Sequence, residues 1–203
     1  MRLFILLPGL VIALSFHEYA HAWVADYLGD DTPYYQGRLT VNPLAHIDWV
    51  GFFMLLFMHF GWAKPVNVNP LGFRKVGPKE GMMLVSLAGP CMNFILAIAA
   101  ALLMKLVLLS SGPGQGEMWL MLIKPVMEFN VILGLFNLIP VPPLDGSKIL
   151  AGIMPDKYAA YLYGMENYGT ILLLVLILSG AIGRILLPLV NMVNGLLYTL
   201  VVL

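Results

Sequence analysis

The sequence predicts an all-α polytopic membrane protein with about five transmembrane helices, a re-entrant or short apolar segment, and a small strand or loop region. Three observations predict it. Of 203 residues, 60% are hydrophobic and 11% charged, where soluble domains carry roughly a quarter charged residues. Mean hydropathy is +0.87. Apolar runs long enough to cross a bilayer recur, separated by short polar stretches rich in Gly and Pro. A single domain is expected over residues 1–203, with a motif-bearing core at 1–150 and C-terminal helices at 156–203. Eleven basic residues balance eleven acidic ones, so nothing argues for a nucleic-acid partner. The partner implied by composition is the lipid bilayer. The lone Cys91 excludes an intramolecular disulfide.

The first span is expected at residues 3–26. Met1-Arg2 and the apolar run after them also resemble a secretory signal, with an A-x-A shape at Ala20-His21-Ala22. Cleavage there would discard three ionisable residues that a membrane helix carries only for a reason, so the span is preferred. Residues 28–48 turn polar: Gly29-Asp30-Asp31-Thr32-Pro33 is a stop signal, and 34–42 reads as short strand or loop, with Pro33, Gly37 and Pro43 breaking any helix. Residues 49–63 are strongly apolar but only fifteen long, against about twenty for a full crossing. A basic, Pro- and Gly-rich connection follows at 64–79. Residues 81–109 are long enough to span and lead into a loop at 110–114. Residues 118–139 form another span, with Pro125 as an expected kink. The Pro-rich run 140–146 abolishes regular helix, and the Tyr-rich stretch 156–167 reads as interfacial. Residues 169–203 would be about 52 Å as one helix, so a break at 179–184 is expected to give two closing spans.

Chemistry concentrates in His17-Glu18-Tyr19-Ala20-His21 within the first span. Histidines at i and i+4 share one helix face, and two imidazole nitrogens at that spacing reach one zinc ion while the glutamate stands beside it as a base. The bland alternative is a pair of satisfied core histidines. Three ionisable groups within five residues of an apolar helix need a shared partner, and a divalent cation supplies one. Catalytic zinc usually takes three protein ligands. Glu80, Glu117, Glu128 and Glu166 lie in contexts without a partner motif, whereas Asp145 follows Pro140, Pro142 and Pro143 and precedes Gly146. Such a backbone is not expected to be helical, and non-helical chain at membrane depth lines a cavity or is buried in protein. An ordinary Pro-Asp-Gly turn at the membrane surface remains the alternative.

Depth tests the idea. His21 and His17 lie roughly 9 and 15 Å inside the end of the first span near Tyr27. Asp145 returns to that level only if an even number of crossings intervenes, so residues 49–63 must dip and return. Seven basic residues (Arg38, Lys64, Arg74, Lys75, Lys79, Lys148 and Lys157) would share that side, against four on the other. The bias favours the cytoplasm. The expected location is the plasma membrane, with the site nearer its cytoplasmic face.

Three motifs in order carry a resemblance: His17-Glu18-Tyr19-Ala20-His21, then Gly89-Pro90-Cys91-Met92-Asn93, then Asn137-Leu138-Ile139-Pro140-Val141-Pro142-Pro143-Leu144-Asp145-Gly146. The pattern HExxH, GPxxN, NxxPxPxLDG resembles the site-2 protease family of intramembrane zinc metalloproteases over roughly two-thirds of the chain. The stretch 37–48 also resembles one compact branch of that family. The resemblance implies that Asp145 is the third zinc ligand and that Asn93 and Asn137 support the site. It further implies that the substrates are membrane-spanning proteins or peptides cut within or near the bilayer. Fuller family members carry a PDZ-like insertion, for which no room is evident between these motifs.

The expected activity is therefore that of a zinc metalloendopeptidase, a hydrolase, with Zn2+ held by His17, His21 and Asp145 and Glu18 moving the proton. Asn137 or Asn93 would donate to the developing oxyanion. The irregular segments 34–70 and 140–147 are where an extended substrate strand would pair. His46 and Asp48 read first as a loop cap or interfacial hydrogen bond and second as a further metal or proton site; His59 reads as interfacial. A membrane metal transporter and a non-catalytic zinc-binding scaffold are the rival classes. The first should spread ligands over several helices along a path, and the second has no need of Glu18.

Overall fold

The computed structural model describes residues 2–58, 63–112 and 115–202, and is helical almost throughout. The expected spans form as α1 (Arg2–Leu28), α5 (Pro78–Ser110) and α6 (Glu117–Asn137). Between α1 and α5 lie α2 (Thr32–Tyr35), α3 (Pro43–His46), α4 (Trp49–Met58) and a 3-10 turn at Pro70–Gly72. After α6 come α7 (Asp145–Ile153), α8 (Asp156–Gly164), α9 (Glu166–Leu178) and α10 (Ala181–Val202). Among the described residues four helices, α1, α5, α6 and α10, are long and apolar enough to cross a membrane. The count reaches five if α8 and α9, bent by 74°, act together as one broken span. Only α10 of the two expected closing spans suffices alone: α9 has 13 residues, about 20 Å of helix. Gly180, with φ +73°, makes the turn between them.

Two expectations are corrected. Of the strand or loop expected at 34–42 the loop holds, over residues 36–42, whereas Tyr34 and Tyr35 belong to the helical turn α2; the one β-type contact among the described residues is an isolated Ile47–Ala63 bridge. Pro33 and Pro43 open α2 and α3 rather than breaking them, because proline fits a first helical turn whose N–H groups lack partners anyway. Asn42 caps α3 by accepting from the Leu44 N–H at 3.1 Å. Likewise, Asp145 is not in irregular chain but is the first residue of α7, where a carboxylate meets the positive end of the helix. The prolines confine the irregular backbone to the residues before it.

The described part of the apolar run 49–63 is too short to cross. Its helix, α4, is ten residues long, and Asp48 caps it through the Gly51 N–H at 2.9 Å. The ends of the run are tied together by the Ile47–Ala63 bridge and by the Lys64 N–H on the His46 carbonyl at 2.9 Å. Chain leaving at 47 therefore returns to the same level at 63. His59, Pro113 and Gly114 lie outside the described residues.

Helices α1, α5 and α6 pack mutually, with α10 against α5 and α6 and α7 against α5. The main core joins Ala97, Ala101 and Met104 of α5, Met127 and Val131 of α6, and Val190 and Leu197 of α10. Small residues allow the close crossings: a Cβ on Gly9 would lie 2.8 Å from the Pro125 carbonyl carbon, and one on Gly134 3.2 Å from the Phe94 ring. The 63–77 connection is pinned along the lower half of α1. Buried Asp30 accepts from the Asn69 N–H at 2.7 Å and the Thr32 N–H at 3.0 Å, and the Arg74 N–H reaches the Leu28 carbonyl at 2.9 Å.

Candidate metal centre

Helix periodicity places His17 and His21 one turn apart on the face of α1 that meets α5. Their rings stand edge to face with centroids 4.5 Å apart, and their Nε2 atoms are 3.0 Å apart. Asp145 brings Oδ2 to 3.2 Å from His17 Nε2 and 3.3 Å from His21 Nε2. Both histidines are buried and Asp145 nearly so. The approach of α5 depends on Gly89, where a Cβ would lie 2.5 Å from His17 Cε1 and from His21 Nε2. Gly146 plays the same part for α7, since a Cβ there would run into the Leu138 and Ile139 carbonyls at the end of α6.

The far sides of the imidazoles determine what the near sides offer. His17 Nδ1 lies 2.7 Å from Asn93 Oδ1, and His21 Nδ1 lies 2.7 Å from the Val85 carbonyl. Both oxygens only accept, so each Nδ1 carries the proton and each neutral ring turns an Nε2 lone pair inward. Pro90, one turn beyond Val85 and Ser86, has no N–H to close its turn, which loosens α5 where His21 reaches it. Buried Asp145 Oδ2 has no hydrogen-bond donor. Two lone pairs and an orphaned carboxylate oxygen, all within 4.8 Å of one another, form a donor set that a zinc ion fits.

Glu18 faces the same cleft, about 890 Å³ in volume, whose lining includes His17, His21, Asn137 and Asp145. Glu18 Oε2 accepts from the Val66 N–H at 3.1 Å, tying it to the non-helical segment 64–69 that forms one wall. The opposite rim is α8, held to the start of α5 by Lys79 Nζ on Asp156 at 2.7 Å and by its hydrogen bond to the Met154 carbonyl.

The chain is also similar to known proteins. The protein is 40% identical over 197 residues to "Putative zinc metalloprotease YwhC" of Bacillus subtilis, an alignment covering 92% of this chain and 87% of that one. The chain belongs to the site-2 protease family. It is also 28% identical to "Putative zinc metalloprotease Rip2" of Mycolicibacterium smegmatis over 89% of this chain and 69% of that one. A zinc metalloprotease of Methanocaldococcus jannaschii shares 33% over 121 residues, 57% of this chain and 33% of its own. No family model and no solved structure matches. Membership in this family of zinc metalloproteases makes the chain a hydrolase, and its apolar helices make it an integral membrane protein.

Of the candidate residues, Asn93 stands behind a histidine of the centre rather than in the cleft, and His46 takes the first of its two expected readings, a loop hydrogen bond. Asn93 is fully buried behind His17, and its amide nitrogen is spent on the Ala13 carbonyl at 3.0 Å and Asn130 Oδ1 at 2.8 Å. It has no donor left for an oxyanion. His46 does not line the cleft; it is buried with Nε2 2.7 Å from the Thr40 carbonyl, closing the 40–46 loop. Asn137 does line the cleft, with one amide hydrogen returned to Leu133 at 3.1 Å. Sequence reasoning missed Val66, Val85 and Asn130. Only Asn130 left a signal, as an amide in an apolar span seven residues before Asn137 on the same helix.

Proposed function

We propose that this chain is an intramembrane zinc endopeptidase that hydrolyses peptide bonds of membrane-spanning substrates, the chemistry of regulated intramembrane proteolysis. The observation that carries the reading is the convergence of three proton-free ligand atoms beside Glu18, within a cleft bounded by membrane-spanning helices. In this reading His17, His21 and Asp145 hold the metal. A bound zinc ion lowers the pKa of water toward about 7 and polarises the scissile carbonyl.

The rest falls to side chains of this chain. Glu18 uses the carboxylate oxygen not engaged by Val66 to take the proton of the attacking water, then delivers it to the leaving amine. Asn137 keeps a second amide hydrogen, which would go to the developing oxyanion. A helical substrate hides its carbonyls in its own hydrogen bonds, so it must unwind before attack. The segment 64–69 beside Glu18 is the edge against which the unwound strand would lie. The tie between Ile47 and Ala63 supports an even number of crossings between α1 and α7, which puts both halves of the site in one leaflet. The excess of Lys and Arg on that side supports the cytoplasmic leaflet of the plasma membrane.

The test uses the purified full chain with a single-span model substrate in detergent. Cleavage should stop with a chelator and return with zinc. Glu18→Gln keeps an acceptor for the Val66 N–H yet loses the base, so cleavage should fall by at least about 10²-fold while bound zinc is retained. Cleavage persisting in Glu18→Gln would remove the proposed base. Zinc uptake into vesicles that survives the same substitution would point to transport instead.

A further inference from the structure

We propose that Asn130 is a positioning residue of the metal centre, acting through Asn93 to dictate which nitrogen of His17 carries the proton. The inference rests on the reading of His17 as a metal ligand. Asn93 and Asn130 are each fully buried among apolar helices. An amide in that setting is costly where an aliphatic side chain would pack without unmet partners, so its bonds call for explanation.

Those bonds run in one direction. Asn130 Nδ2 donates to the Val126 carbonyl, one turn back on α6, at 2.8 Å. That leaves Asn130 Oδ1 facing α5, where it accepts from Asn93 Nδ2 at 2.8 Å. The other hydrogen on Asn93 Nδ2 goes to the Ala13 carbonyl at 3.0 Å. Asn93 therefore turns its oxygen toward His17 Nδ1, 2.7 Å away, and that oxygen demands an Nδ1 proton. Nε2 is left as a lone pair facing His21 and Asp145.

Rotating the Asn93 amide by half a turn would reverse everything downstream. Its oxygen would face the Ala13 carbonyl and Asn130 Oδ1, both acceptors, and its nitrogen would face His17 Nδ1. Nδ1 would then be the acceptor and Nε2 the protonated nitrogen, unable to ligate. His21 has no such weakness, because its orienting partner is the Val85 backbone carbonyl, which cannot flip. Only the histidine held by a reversible amide is backed by a second amide. That asymmetry separates positioning from general interhelical bonding, which would serve α5 and α6 equally well from any point of contact.

The experiment measures zinc affinity of the full chain in detergent by competition with a chelating dye, with no substrate present. Asn130→Leu, close in volume and without an acceptor, should bind zinc about tenfold more weakly, and Asn93→Leu between about tenfold and 100-fold, the range for partners that orient a metal-ligating histidine. The double variant should be no weaker than Asn93→Leu alone. Asn130→Asp, which keeps an oxygen for Asn93 Nδ2, should bind more tightly than Asn130→Leu. Unchanged affinity in Asn130→Leu with a lowered Tm would overturn the proposal and leave a packing role. Multiplying effects in the double variant would overturn the route through Asn93. If the leucine variants do not fold, 15N shifts of the histidine rings in zinc-loaded wild type decide: a proton on His17 Nδ1 is expected, and ligation through Nδ1 overturns the proposal. His17→Ala separates the two readings, since unchanged zinc binding there would sink the metal site itself.

Discussion

Gly89→Ala tests the architecture of the site with a single methyl group. The new Cβ would lie 2.5 Å from His17 Cε1, 2.5 Å from His21 Nε2 and 2.6 Å from His21 Cε1. Nonbonded carbon contacts settle near 3.5–4.0 Å, so α1 and α5 must separate by roughly 1 Å or both rings must swing away. Separation stretches the bond from His21 Nδ1 to Val85, now 2.7 Å, to about 3.7 Å, beyond hydrogen-bond range. The contact of His17 with Asn93, also 2.7 Å, is lost in the same movement. Overpacking of this size costs about 1–3 kcal/mol of stability, and a 1 Å misplacement of reacting groups costs on the order of 10²-fold in rate. Zinc affinity, Tm and cleavage of a single-span substrate should therefore fall together. Gly195→Ala in α10 is the control, because a Cβ there meets nothing within 4 Å and alanine is the better helix former; zinc affinity and cleavage should hold, and Tm should hold or rise. Wild-type zinc affinity and cleavage in Gly89→Ala would refute the claim that this glycine sets the approach of α5 to the histidines.

Further substitutions separate the parts of the centre. Val66→Pro removes the N–H that holds Glu18; cleavage should drop by roughly tenfold, the scale of a hydrogen bond to a charged group, with zinc content unchanged by metal analysis. Asp145→Asn removes the charge but little volume, and equilibrium dialysis should show zinc binding weakened far more than Tm, since a neutral amide is a poor zinc ligand. His46→Ala should cost about 1–3 kcal/mol through loss of a buried side chain and its bond to Thr40. Zinc affinity in that variant should match wild type, and a large fall would return His46 to the metal centre.

The two halves of the fold were unequally legible. The spans of α1, α5 and α6 follow from runs of apolar residues, a local property, and their ends were readable to within a few residues. The dip at 49–63 was legible because length and sidedness constrain it independently. Helical turns at Pro33 and Pro43 escaped notice because proline breaks a helix interior yet suits its first turn, and sequence spacing alone does not say which applies. Asp145 at the head of α7 is the same ambiguity at the other side of the centre. The ligand motif was visible in five consecutive residues, whereas the groups that prepare it were not. Val85 meets His21 across 64 positions and Asn93 meets His17 across 76, and no local pattern encodes such separations.

What the local pattern leaves open is the chemistry of the ligand atoms. An HxxxH pair on a helix is compatible with either nitrogen facing inward and with neutral or charged rings. In this bundle the answer comes from α5, which supplies a carbonyl for one ring, an amide oxygen for the other, and a glycine that admits both rings between the helices. The same helix therefore decides distance and protonation together. A change that moves α5 away from α1 must disturb both, so zinc affinity should track the α1–α5 spacing more closely than it tracks global stability. Variants at Gly89, which alter spacing, and at Asn130, which alter protonation without spacing, should meet in one outcome: weaker zinc binding. They should part in another, since Gly89→Ala also displaces the Val85 bond to His21 while Asn130→Leu leaves it intact.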